Sequence, residues 1–141
     1  GGVLMLTFVP SFISAECADW DAELRRKAVS RGTDPRNRDV LRELEKEQEL
    51  PRPKATLLHV IEHLEYAREI AGVESIGLGG DYDGMSEVPV GLEDVSRYPA
   101  LFAALLERGW SVTDCTKLAG QNILRVIDEV EGVAKTLSRY Q

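Results

Sequence analysis

The stretch "SIGLGGDYDG", from Ser75 to Gly84, decides how this sequence is interpreted. Gly77, Gly79 and Gly80 precede two aspartates, and a strand that carries several glycines is weak unless another group approaches its backbone closely. Alternation along a strand over residues 75–79 places two large aliphatic side chains on one face and only serine and glycine on the other. The stretch therefore predicts a short strand with one apolar face and one nearly bare face.

Asp81 follows this predicted strand closely. If the extended backbone continues, Asp81 has the parity of the bare face and lies at the carboxyl end of the strand, where α/β folds place their chemistry. The residues alone leave two interpretations of Asp81 and Asp83 open. The first is a turn held by hydrogen bonds from side chain to backbone, which Asp favours. The second is a metal-binding or catalytic role.

Composition limits the class of protein. The chain has 141 residues, of which 43% are hydrophobic and 29% charged, as is typical of one globular domain. The net charge is −7 and Lys and Arg form no stripe, so no nucleic-acid partner is predicted. The apolar run from Val3 to Ile13 is interrupted and far shorter than the roughly 20 residues that cross a bilayer, so no membrane-spanning segment is predicted. Cys17 and Cys115 show no CxxC spacing and fit a reducing compartment, which predicts a cytoplasmic protein.

The order of elements predicts an α/β fold. Val3 to Leu6 is continuously apolar and predicts a buried strand in a parallel sheet that helices cover on both faces. The charged segment 18–51 predicts two partly exposed helices with a loop between them. Two strands separated by helices predict parallel pairing, but two are too few for a closed or doubly wound sheet. The pattern therefore predicts part of a larger fold. Further helices are predicted over Thr56 to Ala71, Leu101 to Arg108 and about Gln121 to Val130, with a capping box at Ser111 to Asp114.

The segment "HVIEH", from His59 to His63, matches the H-x-x-E-H pattern of inverted zinc peptidases. Two histidines four residues apart share a helix face and could hold one zinc ion. The helical wheel, however, places His59 and Glu62 opposite the apolar stripe, with His63 at its flank. We therefore favour a solvated helix face over a zinc site for this segment.

Three motifs together carry a family likeness. They are "GLGGDYDG" at 77–84, "GLEDVSRYPAL" at 91–101 and "LAGQNILRV" at 118–126. This combination resembles the closing portion of the renal, or membrane, dipeptidases, a zinc-dependent peptidase family. The resemblance implies that residues 1–141 form the carboxyl-terminal part of a (β/α)8 TIM barrel, namely its last two strands and the carboxyl-terminal helices. Residues 18–51 would then be a charged helical insertion within that single domain.

The resemblance also implies roles for particular residues. Asp81 matches the aspartate that ligates one of two zinc ions and exchanges protons with the tetrahedral intermediate. Phe12 falls where many relatives place a Tyr that lines the substrate cleft, and Asp83 is a further candidate for substrate contact or for turning the loop. The family's other zinc ligands would lie upstream of the matched region. Because a catalytic zinc takes about three protein ligands, the 141 residues alone are expected to be inactive.

The implied function is thus zinc-dependent hydrolysis of dipeptides by a longer chain, with a homodimer possible. Two alternatives stay open. One is a non-catalytic barrel relative or interaction module that has lost its metals. The other is a different amidohydrolase that acts on cyclic amides or acylated amino acids.

Overall fold

The computed structural model describes residues 1–138. Within them the fold is rich in helix, with 3₁₀ turns at Val73–Ser75 and Val95–Arg97. A kink at Lys117–Gln121, where Gly120 has a non-helical backbone (φ 174°, ψ −20°), joins the last two helices. None of the helices in this described part is long and apolar enough to cross a membrane. In chain order the elements are β1 Leu4–Leu6, α1 Pro10–Ile13, α2 Ala15–Ser30, α3 Arg38–Lys46, α4 Leu57–Ala71, β2 Ile76–Leu78, α5 Tyr98–Glu107, α6 Val112–Thr116 and α7 Asn122–Leu137.

The two strands pair in parallel, which confirms the pairing that the element order predicts. The pairing continues past the strand ends, because the Gly79 N–H donates to the Leu6 carbonyl at 2.9 Å and the Phe8 N–H donates to the Gly80 carbonyl at 3.4 Å. The loops that leave the two strands therefore begin side by side at one edge of the sheet.

The two faces of β2 follow the predicted alternation. Ile76 and Leu78 pack in or against the hydrophobic core. On the other face, a Cβ added at Gly77 would lie 2.7 Å from the Met5 sulfur, and one added at Gly79 would lie 3.2 Å from the Met5 Cβ. The bare face thus leaves room for the Met5 side chain of the neighbouring strand.

The prediction that Val3 to Leu6 is buried on both faces is wrong for the described residues. Leu4 is 56% exposed and Met5 is 40% exposed, while Leu6 is buried. The reason is that β1 pairs only with β2 among residues 1–138, so its other edge carries no strand there.

Helix α4 packs on the core and has the ends that the sequence predicts. Its N-cap is Thr56, and it stops at Gly72, whose φ of 78° is in the left-handed region that glycine adopts easily. The predicted capping box of α6 is confirmed, since the Asp114 N–H donates to the Ser111 Oγ at 3.0 Å. The largest fully buried side chains of the core include Phe8, Leu64, Ile76, Leu92, Leu101, Leu105 and Leu118.

The charged segment forms α2 and α3, as predicted, and these helices share a small hydrophobic cluster of their own. Leu24, Ala28 and Leu44 are buried in it. Arg52, beyond α3, pairs with Asp21 on α2 at 2.6 Å and with Glu45 on α3 at 3.4 Å. That this unit is an insertion in a barrel stays a prediction.

Helix α7 is tied to the sheet by one buried amide. Asn122 is 2% exposed, and its Nδ2 donates to the Val73 carbonyl at 2.6 Å and to the Ile76 carbonyl at 2.8 Å. These two carbonyls flank the start of β2, so Asn122 fixes α7 against that end of the strand.

Candidate active site

Asp81 begins a tight turn that follows β2 after Gly79 and Gly80, and it is exposed to solvent. The N–H groups of Gly84 and Met85 donate to the Asp81 carbonyl at 3.0 and 3.3 Å. Asp81 has a φ of 61°, a left-handed conformation that is uncommon for residues other than glycine. The expectation that the extended backbone continues through Asp81 is therefore wrong, because the turn starts at this residue. Its location at the carboxyl end of β2 agrees with the sequence.

The Asp81 carboxylate lies against the backbone of Gly84. A Cβ added at Gly84 would come within 2.9 Å of the Asp81 Cγ, so a side chain there would displace the carboxylate. Backbone groups close the turn, and among residues 1–138 the structure shows no hydrogen bond or ion pair to the Asp81 carboxylate. Asp is among the residues that adopt this left-handed conformation most readily, and the turn leaves its carboxylate exposed and unpaired among residues 1–138.

Phe12 lines a cavity beside this turn, and Asp83 belongs to the turn. Phe12 belongs to α1, after β1, and its ring is 66% exposed. It lines a cavity of about 300 Å³ whose wall also includes residues 84–87, which follow Asp81. Asp83 is exposed in the turn itself. The roles of Phe12 and Asp83 in substrate binding stay predictions.

Three aromatic rings, one of them from the Asp81 turn itself, pack edge to face. The ring centroid of Phe8 lies 6.0 Å from those of Tyr82 and Tyr98, and the two tyrosine rings are 6.3 Å apart. Burial raises the pKa of Tyr82 to about 12 and also raises the pKa of Tyr98, so both phenols are neutral near pH 7. The aromatic cluster therefore acts by packing. Local sequence does not predict this cluster, since its three residues are distant along the chain.

Gly80 lies inside this aromatic cluster, and we expect Gly80→Ala to lower the free energy of unfolding by about 1 to 3 kcal/mol through overpacking. An added Cβ would lie 2.9 Å from Tyr82 Cε2 and from the Tyr98 hydroxyl, and 3.2 Å from Phe8 Cδ2. Urea denaturation of the natural polypeptide would measure the change. Gly132→Ala on α7 is the control, because beyond its own helical turn and chain neighbours no heavy atom of the described residues lies within 4 Å of that Cβ, and a gain of about 1 kcal/mol is expected. Equal effects of the two substitutions would contradict the packing argument.

Residues of the motif "GLEDVSRYPAL" stabilise the loop that follows the Asp81 turn by hydrogen bonds and an ion pair. The Glu93 carboxylate accepts the Gly91 N–H at 2.7 Å and pairs with Arg97 at 3.0 Å. The backbone hydrogen bond from Gly91 is the main cause that lowers the pKa of Glu93 to about 2. Asp94 accepts the Ser96 N–H at 2.7 Å and so caps the 3₁₀ turn before α5. These residues of the motif therefore have structural roles in the loop.

His59 is used as a helix cap. Its Nδ1 accepts the Thr56 N–H at 3.0 Å, which completes the capping box at the start of α4. Glu62 of the same segment is exposed, as the wheel predicts. In the described part of the chain, no group of three His, Cys, Asp or Glu side chains is arranged to hold a metal ion. The zinc interpretation of "HVIEH" gains no support from this geometry.

The cavity beside the Asp81 turn has three walls. Residues 9–12 after β1 form the first, residues 84–87 after β2 form the second, and α2 and α3 form the third. Within a charged segment, arginines directed to a cavity cannot be told from arginines on a solvated face, so the sequence did not reveal them. The arginines that line the cavity are Arg25, Arg38, Arg42 and Arg52.

Comparison with known proteins decides the family. Residues 1–141 match the model of the family described as membrane dipeptidase, peptidase family M19. The chain belongs to the membrane dipeptidase family. The resemblance that its motifs indicate is thereby confirmed.

Two similar proteins are considerably longer than the part of them that this chain covers. Dipeptidase aclJ of Aspergillus oryzae (strain ATCC 42149 / RIB 40) is 49% identical over 84 residues, which are 60% of this chain and 20% of the fungal protein. The crystal structure of the probable dipeptidase PvdM from Pseudomonas aeruginosa matches with a TM-score of 0.69 and 22% identity, over 88% of this chain and 36% of that one. At this identity the second likeness shows the fold alone. The chain thus spans about a third of the solved dipeptidase structure and a fifth of the fungal relative.

For a membrane dipeptidase family member, the chemistry of Asp81 suits one position in a zinc site. Carboxylate oxygen is a usual zinc ligand, and the Asp81 side chain is exposed and unpaired among the described residues. Residues 1–138 hold no complete set of ligands around it.

Proposed function

We propose that the natural polypeptide that carries this sequence is a zinc-dependent dipeptidase and that residues 1–141 form the carboxyl-terminal part of its (β/α)8 barrel. Membership of the membrane dipeptidase family supports this proposal, as does the likeness in fold to part of a dipeptidase structure. The observation that carries the proposal is the unpaired carboxylate of Asp81 at the carboxyl end of β2, the edge at which α/β barrels place their chemistry.

In this proposal Asp81 holds one zinc ion together with ligands from outside the 141 residues. When bound, zinc polarises the scissile carbonyl and lowers the pKa of a water molecule. The Asp81 carboxylate accepts the proton of the attacking water and delivers it to the leaving amine. Phe12 contributes an apolar contact to the substrate and offers no hydroxyl, and Asp83 is a weaker candidate for a substrate contact on the same turn.

A substrate panel tests this function. The natural polypeptide would be assayed with L,L and L,D dipeptides, hydantoins and N-acyl amino acids, before and after removal of metal with a chelator. We expect dipeptides to be the best substrates, and we expect chelation to abolish their hydrolysis and added zinc to restore it. A preference for hydantoins or acyl amino acids would instead indicate a different amidohydrolase. Absence of both hydrolysis and bound zinc would indicate a non-catalytic relative.

A further inference from the structure

The lining of the cavity beside the Asp81 turn is partly apolar and partly basic. Phe12, Leu24, Leu41 and Met85 contribute apolar surface, and the helices α2 and α3 add arginines. Its volume of about 300 Å³ is at the lower limit for small-molecule sites. Such a lining suits a short aliphatic stem that ends in an anionic group.

The positive charge in the cavity is only partly neutralised. Arg52 is paired with Asp21 and Glu45, which are also lining residues. Arg25 and Arg38 are exposed, and among residues 1–138 the structure shows no ion pair or hydrogen bond to their guanidinium groups. In a chain of net charge −7, two exposed arginines at one cavity give it a local positive charge that can attract an anion.

Two other charged lining residues affect the net charge of the cavity lining. Arg42 contacts Asp39 at a distance of 3.4 Å with both side chains largely exposed, so that the pair is weak. Glu87 is a lining carboxylate that opposes an anion. The arginines outnumber the carboxylates in the lining, which leaves the cavity with a positive balance.

Arg52 itself is not available to an anion, since its guanidinium group is paired or buried. Its Nε is buried in the described structure and has no hydrogen-bond partner there, although buried N–H donors in folded proteins are almost always paired. Because this Nε is not accessible from the cavity, the contact with an anion is assigned to the exposed guanidinium groups of Arg25 and Arg38.

The cavity is adjacent to the proposed reaction site. Gly84 lines the cavity, and the Asp81 carboxylate lies against the same glycine. A substrate whose peptide bond is held at Asp81 therefore has a side chain within reach of the cavity.

We propose that the cavity binds the acidic side chain of a dipeptide, of the glutamyl type, and that Arg25 and Arg38 determine this preference. The inference rests on the proposed dipeptidase function. A glutamyl side chain carries its carboxylate on an aliphatic stem, which matches the apolar and basic lining. The terminal carboxylate of a dipeptide lies next to a polar amide and matches it less well.

Paired dipeptides of equal size test the preference in the natural polypeptide. The kcat/KM would be measured for Ala-Glu and Ala-Gln, and for Glu-Ala and Gln-Ala, because each pair differs only in charge. We expect the acidic member of one pair to be favoured. The double variant Arg25→Gln and Arg38→Gln is expected to lower the ratio of kcat/KM for the acidic dipeptide to kcat/KM for its neutral partner about tenfold or more. We expect the change in KM, since hydrogen bonds to charged groups contribute strongly to binding. Arg26→Gln is the control, as Arg26 lies on α2, pairs with Glu23 at 2.9 Å and is exposed.

The outcomes separate this inference from the function on which it rests. An unchanged ratio in the double variant would overturn it, and so would an equal loss on both members of a pair, which would assign the arginines to the terminal carboxylate. If no dipeptide is hydrolysed, the proposed function fails, and calorimetric titration with glutarate then tests the anion site by itself. Binding that weakens tenfold or more in the double variant would support the site, and absence of glutarate binding to the parent polypeptide would overturn it.

Discussion

Replacement of Asp81 by Asn is expected to lower kcat/KM for dipeptides by about a thousand-fold while the fold stays intact. The amide has nearly the same size as the carboxylate but carries no negative charge for a metal ion and cannot accept and return a proton. Folding should be unaffected because the side chain is exposed and unpaired among residues 1–138, and because Asn tolerates the left-handed backbone at this position. The measurements are steady-state kinetics on the natural polypeptide, its zinc content and its thermal midpoint.

Asp128→Asn is the matched control for this substitution. Asp128 is exposed on α7, so that the same loss of one charge there should leave both kinetics and zinc content unchanged. Near-normal turnover in Asp81→Asn would rule out the assignment of Asp81. A drop in turnover together with a lowered thermal midpoint would point instead to damage of the fold.

Asn122→Leu is expected to cause the largest loss of stability, about 3 kcal/mol in the free energy of unfolding. The substitution removes both hydrogen bonds from the Asn122 amide and leaves the carbonyls of Val73 and Ile76 without these donors at a buried site. Urea denaturation of the natural polypeptide, followed by circular dichroism, would measure the loss. Gln121→Ala is the control, since Gln121 is the exposed neighbour. Identical midpoints for the two variants would show that the buried amide contributes little.

The parts of the fold that the sequence predicts are those that depend on close neighbours along the chain. The alternation around Gly77 predicts the faces of β2, and Thr56 and Gly72 mark both ends of α4. Ser111 and Asp114 form a capping box within four residues. In each case the physical signal is a steric or hydrogen-bonding preference that is complete within a few residues. The three family motifs extend this reach, because together they identify the family.

The remaining features depend on contacts between distant segments. The left-handed backbone of Asp81 results from a turn closed by Gly84 and Met85, whereas an aspartate after a strand is equally compatible with extended backbone. The exposure of Leu4 depends on which strands lie beside β1. The arginines of α2 and α3 line the cavity only because the fold brings these helices to the loops after both strands. Local sequence carries no signal for any of these arrangements.

The aromatic cluster has a consequence for how members of this family diversify. Tyr82 and Tyr98 stand at the two ends of one long loop, and both rings rest on Phe8. Substitutions at Ser86 and Glu87, which line the neighbouring cavity beyond the turn, can reshape it while the turn that presents Asp81 keeps its place. In the proposed dipeptidase, selectivity can therefore drift over generations without a penalty to bond cleavage itself.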